Sequence, residues 1–173
     1  PADATVVDMT GHQLYPGFIH PATQLGLTEI SSVSGTVDTS EMGNINAALN
    51  VEVAVNHDSQ LLPASIAGGV LSAHIIPGGG LIRGHSAVMN LDGWIWEDMV
   101  IRPQAGMHIA FPPGAVDDTD NEDLKTINRV LDQARHWHQA KAASLNDGLP
   151  APKRNDQLEA LGPMLAGEVP LML

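Results

Sequence analysis

The feature that most constrains the fold is a short apolar run, VLSAHII at 70–76, which ends in the glycine-rich stretch PGGG at 77–80. An uninterrupted apolar run of this length that is followed by glycines is typical of a fully buried strand in a parallel sheet. The run MHIAF at 107–111 is a further strand, and it stops at Pro112-Pro113-Gly114. These runs predict a sheet that forms the centre of the domain.

Other short strands surround these two. The segment 4–9 alternates loosely and is rich in β-branched residues, and a second apolar strand begins at Phe18 and stops at His20-Pro21. Between them and the first run, residues 28–50 lack a steady period, so we expect a long loop with one helical turn at 44–49. Strands are also predicted at the following segments: 86–90, 98–102 and 169–173.

Helical patterns occur mainly in the second half. Pro63 begins a short helix at 63–67, and Gly68-Gly69 ends it. Apolar residues recur on one face of 121–143, with Asp120 as the expected N-cap. A last helix is capped by Asn155 or Asp156 and ends before Gly167. The order of elements predicts an α/β fold with parallel pairing, and a buried strand at the last residues indicates an unfinished domain.

Composition and charge exclude several classes. The 173 residues carry 20 acidic and 8 basic side chains, a net charge of −12, which argues against nucleic acid or an anionic membrane as partner. No apolar run reaches the ~20 residues of a membrane helix, and the first residues, PADATVVD, do not resemble a signal peptide. The absence of cysteine excludes disulfides, thiolate metal sites and a cysteine nucleophile, but it assigns no compartment.

Several segments resemble a known family in the same order. They are VVDMTGHQLYPGFIHPATQLGL, IAGGVLSAHIIPGGGLIRGHSAVMNLDG, EDMVIRPQAGMHIAF and QLEALGPMLAGEVPLML. Together they are similar to the metal-dependent amidohydrolases, especially the imidazolonepropionase-like and prolidase-like branch. The resemblance covers nearly the whole chain.

The resemblance implies an incomplete (β/α) barrel of the TIM type. A complete barrel has eight strands and about 250 residues, so this chain corresponds to the first half. Residues 1–17 would supply a strand and lead-in from a small β-sandwich, and residues 18–173 the partial barrel. The family activity is hydrolysis of an amide or dipeptide carbon–nitrogen bond by water that zinc or another divalent metal activates.

The first metal motif of the family is altered in this chain. Family members carry His-x-His at the end of the first barrel strand, where this sequence has Ala22 and Gln24. Alanine has no donor atom and glutamine is a poor neutral ligand. His20 stands where the family has an acidic residue and is a weak metal candidate. We therefore expect no catalytic residue and no metal site within this chain alone, and no activity from it alone.

Three residues are candidates for substrate binding. His74 lies in the apolar run, where a core or barrel-lining role is the alternative. Arg83 and His85 follow the glycine-rich loop, which in the family stands over the end of the strand where barrel active sites lie. A guanidinium there could bind a carboxylate through two hydrogen bonds, although a surface loop with an ion pair is the favoured interpretation.

Other motifs carry no function. His136 and His138 would lie about 200° apart on a helix and cannot share a metal. The glycines at 78–80 lack a phosphate-binding motif, and the acidic run at 117–123 lacks the spacing of a calcium loop. No serine has the Gly-x-Ser-x-Gly context of a nucleophile.

Two functions remain open. The chain is either part of an amidohydrolase, or a non-catalytic structural or small-molecule-binding domain of a larger assembly. Half a barrel exposes strand edges and apolar faces, so we expect a partner and no soluble monomer. The candidates are the remainder of the barrel, another subunit or a second copy of the chain.

Overall fold

The protein is described here by a computed structural model that covers residues 5–113 and 120–173. Its strands are β1 (Phe18–Thr23), β2 (Val70–Ile75), β3 (Ile82–Asn90), β4 (Val100–Ile109) and β5 (Leu171–Met172). Its α-helices are α1 (Leu61–Ala67), α2 (Trp96–Met99), α3 (Glu122–Asp147), α4 (Asp156–Ala160) and α5 (Gly162–Leu165). Two short 3-10 helices lie at Ser34–Thr36 and Val51–Ala54.

The five strands form one sheet in the order β1-β2-β3-β4-β5, which curls into half a barrel. The outer pairs, β1 with β2 and β4 with β5, are parallel, as predicted. The prediction of parallel pairing is wrong for β3, which is antiparallel to both of its neighbours. Only residues 76–81 connect β2 to β3, and a parallel neighbour needs a crossover of a dozen residues or more.

The two predicted strands at 98–102 and 107–111 belong largely to one long strand. Asp98 and Met99 end α2, and β4 continues from Val100 to Ile109. The pairing with β3 slips around 103–105, where Gln104 adopts a φ of 46°. The extra residues form a bulge, which allows the strand to continue past Pro103 although proline has no N–H to donate.

The long helix α3 confirms its predicted position, with a correction at its cap. The side chain of Asn121, rather than that of Asp120, accepts hydrogen bonds from the backbone N–H groups of Asp123 and Leu124, both at 3.1 Å. Gly148 ends the helix in the left-handed conformation with a φ of 68°. The cap of α4 is Asn155, one of the two predicted residues.

The helices cover one face of the sheet. One buried cluster joins Leu62 of α1 and Met99 of α2 to strand residues such as Ile75. A second joins α3, through Ile127 and Val130, to the ends of β3 and β4. Leu161, which ends α4, is fully buried in the second cluster.

Three further predictions are wrong. Residues 5–9 of the predicted strand 4–9 form no strand and are exposed, because no described segment pairs with them; Ala4 lies outside the described residues. The turn predicted at 44–49 is not helical, and the 3-10 turns lie elsewhere in the loop. The segment 169–173 does form a strand, but Leu171 and Leu173 are exposed because β5 has a described neighbour on one side only.

Among the described residues, no helix is both long and apolar enough to cross a lipid bilayer. Large apolar side chains are nevertheless exposed along β1, where Phe18 and Ile19 each keep 68% of their surface accessible.

Candidate functional site

The candidate site lies at the edge of the sheet where four strands end. Strands β2 and β4 are both antiparallel to β3, so they run in the same direction, and β1 and β5 run parallel to them. Their carboxyl ends therefore share one edge. In (β/α) barrels this is the edge that carries the active site.

Polar side chains occupy the face of the sheet opposite the helices. Side chains alternate between the two faces along a strand, and directly paired residues share a face. Ala73 and Ile75 pack toward the helices. The residue between them on β2, and the residue that pairs with it on β3, therefore lie on the other face of the sheet. We call this the polar face, and its members here are Ser72, His74, Ser86, Asn90 and His108.

His74 is the centre of the polar face. Its Nδ1 lies 3.0 Å from the carbonyl oxygen of Pro21 on β1, and its Nε2 lies 2.7 Å from Oγ of Ser86 on β3. Because a carbonyl only accepts, Nδ1–H donates to Pro21 and the Nε2 lone pair is left to accept from the Ser86 hydroxyl. The imidazole therefore ties three strands together close to the carboxyl ends of β1 and β2.

His108 lies beside this bridge and lacks a comparable partner. Its ring centre is 5.8 Å from that of His74, and the side chain is 9% exposed. Its Nε2 is buried without a hydrogen-bond partner among the described residues. Burial, reinforced by unfavourable charge interactions with His74, Arg83 and His85, lowers the pKa of His108 from 6.5 to about 4. The imidazole is therefore neutral near pH 7.

Arg83 approaches His108 from β3. The pairing of β3 with β4 slips between Ile82 and Gly84, so Arg83 occupies a bulge. Its Nε is buried without a hydrogen-bond partner, and no ion pair links the guanidinium to any residue that the structure describes. The surface ion pair considered for Arg83 is thus not formed with residues 5–113 or 120–173.

His85 is separated from the other two predicted binding residues. It is 1% exposed and packs toward the helices, where its Nε2 lies 3.2 Å from the carbonyl oxygen of Ala160. Burial lowers the pKa of His85, and the hydrogen bond to that carbonyl partly opposes the shift. The structure thus places His85 beneath the helices, apart from His74, and places Arg83 next to Gly84, the strand partner of His108; the binding roles of all three stay predictions.

The end of β1 does not fit a metal ion. His20, Ala22 and Gln24 are exposed, and the first of these lies beside Ala73 at the sheet edge. The amide nitrogen of Gln24 packs against Gly78, where an added Cβ would approach it to 2.8 Å. Within the described residues, no group of three or more His, Asp or Glu side chains is placed to hold a metal. The donors present at this edge therefore do not match the zinc that the family resemblance implies.

An open cavity of about 590 Å³ is lined mainly by the loop at 38–54, together with Pro77 just after β2 and Gln157 of α4. Asp38, Glu41 and Asn50 are among its lining residues, and none of the predicted binding residues lines it. It contains no histidine or cation, so we place the chemistry at the polar face and not in this cavity.

The remaining motifs behave as structural features. His138 Nε2 lies 3.0 Å from the carbonyl oxygen of Leu158, which fastens α3 to α4. The N–H of Gly78 donates to the carbonyl of Thr39 at 2.6 Å, so the glycine loop is held by backbone. Of the acidic run at 117–123, residues 117–119 lie outside the described residues.

Sequence reasoning missed two members of the site, Ser86 and His108. A usable signal was present for His108, which stands near the end of an apolar strand as His74 does. Ser86 had no local signal, because its partner His74 is brought to it only by the pairing of β2 with β3.

Comparison with known proteins supports the fold. No protein-family model matches the sequence, and no curated protein matches it. The solved structure of an amidohydrolase from Thermotoga maritima MSB8 matches with a TM-score of 0.85 at 22% sequence identity. The match covers 99% of this chain and 48% of that chain, so this chain spans about half the length of that protein. Nearly the whole chain therefore has an amidohydrolase-like fold.

Proposed function

We propose that this chain forms the first half of an amidohydrolase-like (β/α) barrel of the TIM type, and that its part in carbon–nitrogen bond hydrolysis is structural. The observation that carries the proposal is the match of 99% of the chain to 48% of a solved amidohydrolase. Residues 1–17 would then lead in from a small β-sandwich, as the family resemblance implies.

The chemistry at the end of β1 supports a structural role. Ala22 offers no donor, and the Gln24 amide packs against the backbone of Gly78. A fold shared with hydrolases does not bring their chemistry with it when the ligand positions differ. Metal ligands for hydrolysis would have to come from outside the described residues.

Exposed apolar surface at both sheet edges supports a covering partner. Phe18 and Ile19 on β1, and Leu171 and Leu173 at β5, are exposed. Unpaired strand edges with apolar side chains favour association. The remainder of the barrel fits both edges at once, and another subunit or a second copy of the chain are the alternatives. The net charge of −12 does not favour nucleic acid as a partner.

The test is native mass spectrometry of the natively purified protein, repeated after denaturation, together with zinc analysis of each separated component. We expect a second polypeptide or a second copy, with any zinc assigned to components other than residues 1–173. The native assembly should hydrolyse dipeptides or cyclic amides, and a chelator should abolish this activity. His20→Ala should change neither metal content nor activity.

Two results would overturn the proposal. One zinc per chain on the isolated chain, lost in His20→Ala, would assign it a metal site of its own. Amide hydrolysis that survives complete removal of metal would exclude the family chemistry.

A second candidate is a non-catalytic domain that binds a small molecule. The Arg83 guanidinium, which has no ion-pair partner among the described residues, favours it, because an arginine without a carboxylate partner is suited to an anionic ligand. A metal-free assembly without hydrolase activity, in which ligand binding is lost on Arg83→Ala, would favour this function over the first.

A further inference from the structure

Arg83 lacks an anionic partner within the described residues. Its guanidinium is permanently charged, and its Nε–H is buried without an acceptor. A buried N–H of a cation that meets no acceptor destabilises the protein. The two terminal Nη nitrogens form no hydrogen bond to described residues either, but they are not among the buried atoms, so solvent reaches them. The side chain therefore presents an open pair of donors.

His108 offers a further donor, and its strand partner on β3 is Gly84, the residue that follows Arg83. Its Nε2 is buried and unpartnered, whereas its Nδ1 is neither buried nor hydrogen-bonded within the described part of the chain. The charged or titratable groups that act on the imidazole are His74 from β2 together with Arg83 and His85 from β3. All of them disfavour a positive charge on His108, and no carboxylate of the described residues offsets them.

The arrangement favours an anion over a metal cation. Two imidazoles at 5.8 Å would suit a metal, but both nitrogens of His74 are already engaged by Pro21 and Ser86. The nearby guanidinium would also repel a cation. A single arginine fork with one imidazole matches the two oxygens of a carboxylate.

We propose that Arg83 and His108 form a binding site for a carboxylate group, which donates no proton itself, and that His108 takes up a proton from solvent as the carboxylate binds. The site deepens the second candidate function by naming the ligand class and a residue, His108, that the sequence did not indicate. The carboxylate belongs either to a small-molecule ligand or to an acidic side chain of another part of the assembly. Both sources offer the same chemistry.

The test follows the imidazole signals of His108 by NMR in the natively purified protein, with His108→Gln for assignment. The probes are sodium acetate and N-acetylglycine at millimolar concentration, compared with chloride at the same ionic strength. We expect saturable shifts of the His108 signals with both carboxylates. The proton affinity of His108 should rise by at least about tenfold, which is one pKa unit.

Variants separate the site from a general salt effect. Arg83→Gln should abolish the carboxylate response, and Arg83→Lys, which keeps the charge without the fork, should weaken it. Arg129→Gln is the matched control, because Arg129 is exposed on α3 on the other side of the sheet, and it should leave the response unchanged. If Arg83→Gln does not fold, the comparison of Arg83→Lys with Arg129→Gln still decides the question.

The outcomes distinguish the two sources. A response to acetate supports a small-molecule ligand. A carboxylate side chain of the assembly is supported by a different result. In that case His108 is already protonated near neutral pH, its signals do not respond to acetate, and it loses its proton in Arg83→Lys. A neutral His108 whose imidazole signals are shifted by neither probe overturns the proposed site. Zinc that shifts the signals of His74 and His108 together, when acetate shifts neither, also overturns it. None of these readouts depends on hydrolysis, so failure here is separate from failure of the proposed function.

Discussion

The Nε2 of His74 on β2 lies 2.7 Å from the Oγ of Ser86 on β3. Ser86 is fully buried, and its hydroxyl also lies 3.2 Å from the carbonyl oxygen of Gly106 on β4. A hydroxyl has one hydrogen, and the shorter contact to the His74 lone pair takes it. The pair therefore joins β2 to β3 near the carboxyl end of β2.

Removing this hydroxyl should destabilise the protein. Ser86→Ala leaves the buried Nε2 of His74 without its partner, and we expect a loss of about 1–2 kcal/mol in the free energy of unfolding. Urea denaturation measures it. Ser72→Ala is the matched control, since its hydroxyl bonds Asn90 at an exposed position of the same face, and it should cost less than about 0.5 kcal/mol. Equal losses in the two variants would contradict a special role for the His74–Ser86 pair.

The bulge that places Arg83 depends on Gly84. This glycine has a φ of 104°, and an added Cβ would lie 2.6 Å from the carbonyl oxygen of Leu49 and 2.8 Å from that of Asn46. Gly84→Ala should therefore cost about 3 kcal/mol or more, through backbone strain and steric overlap together. Gly35→Ala, where nothing lies within 4 Å, should change stability little. Thermal and urea unfolding of both variants decide it, and a stable Gly84→Ala protein would refute this account of the bulge.

Burial of His108 should make stability fall in mild acid. The folded-state pKa of about 4 lies below the ordinary value of 6.5, so the unfolded chain binds the proton first as the pH falls. Stability from this group is complete above about pH 6.5 and is lost progressively down to about pH 4, by about 3 kcal/mol at most. Urea titrations between these pH values measure it. His108→Gln should flatten that part of the profile, and parallel profiles for the two proteins would contradict the prediction.

Glu52 should show the opposite sign. It is 5% exposed, its Oε2 has no hydrogen-bond partner among the described residues, and burial raises its pKa above 4.5. Glu52→Gln should stabilise the protein at pH 7 by about 1 kcal/mol, because it removes a buried charge. The gain should disappear at low pH, where the carboxyl is protonated. Glu168→Gln, at an exposed site, is the control and should have no effect; a destabilising Glu52→Gln would reveal a partner for the carboxylate.

Local sequence patterns determined much of the architecture. The apolar run before the glycine loop became β2, and the helical periodicity of 121–143 became α3, because both patterns reflect burial of one element against its neighbours. The family resemblance carried the half-barrel expectation, which the amidohydrolase-like fold supports. Two predictions that depend on pairing were wrong: residues 5–9 of the predicted strand 4–9 form no strand, and β3 runs antiparallel to its neighbours.

The candidate site divides in the same way. The sequence by itself singled out His74 and Arg83, and the family resemblance drew attention to Ala22 and Gln24 at the positions of the expected metal ligands. Only the tertiary structure placed His85 under α4 and brought His108 and Ser86 to the polar face. Burial pattern and donor chemistry are properties of single positions and can be read along the chain. Strand direction, register and the bulge at Arg83 depend on contacts between residues far apart in sequence, and these decide which side chains meet.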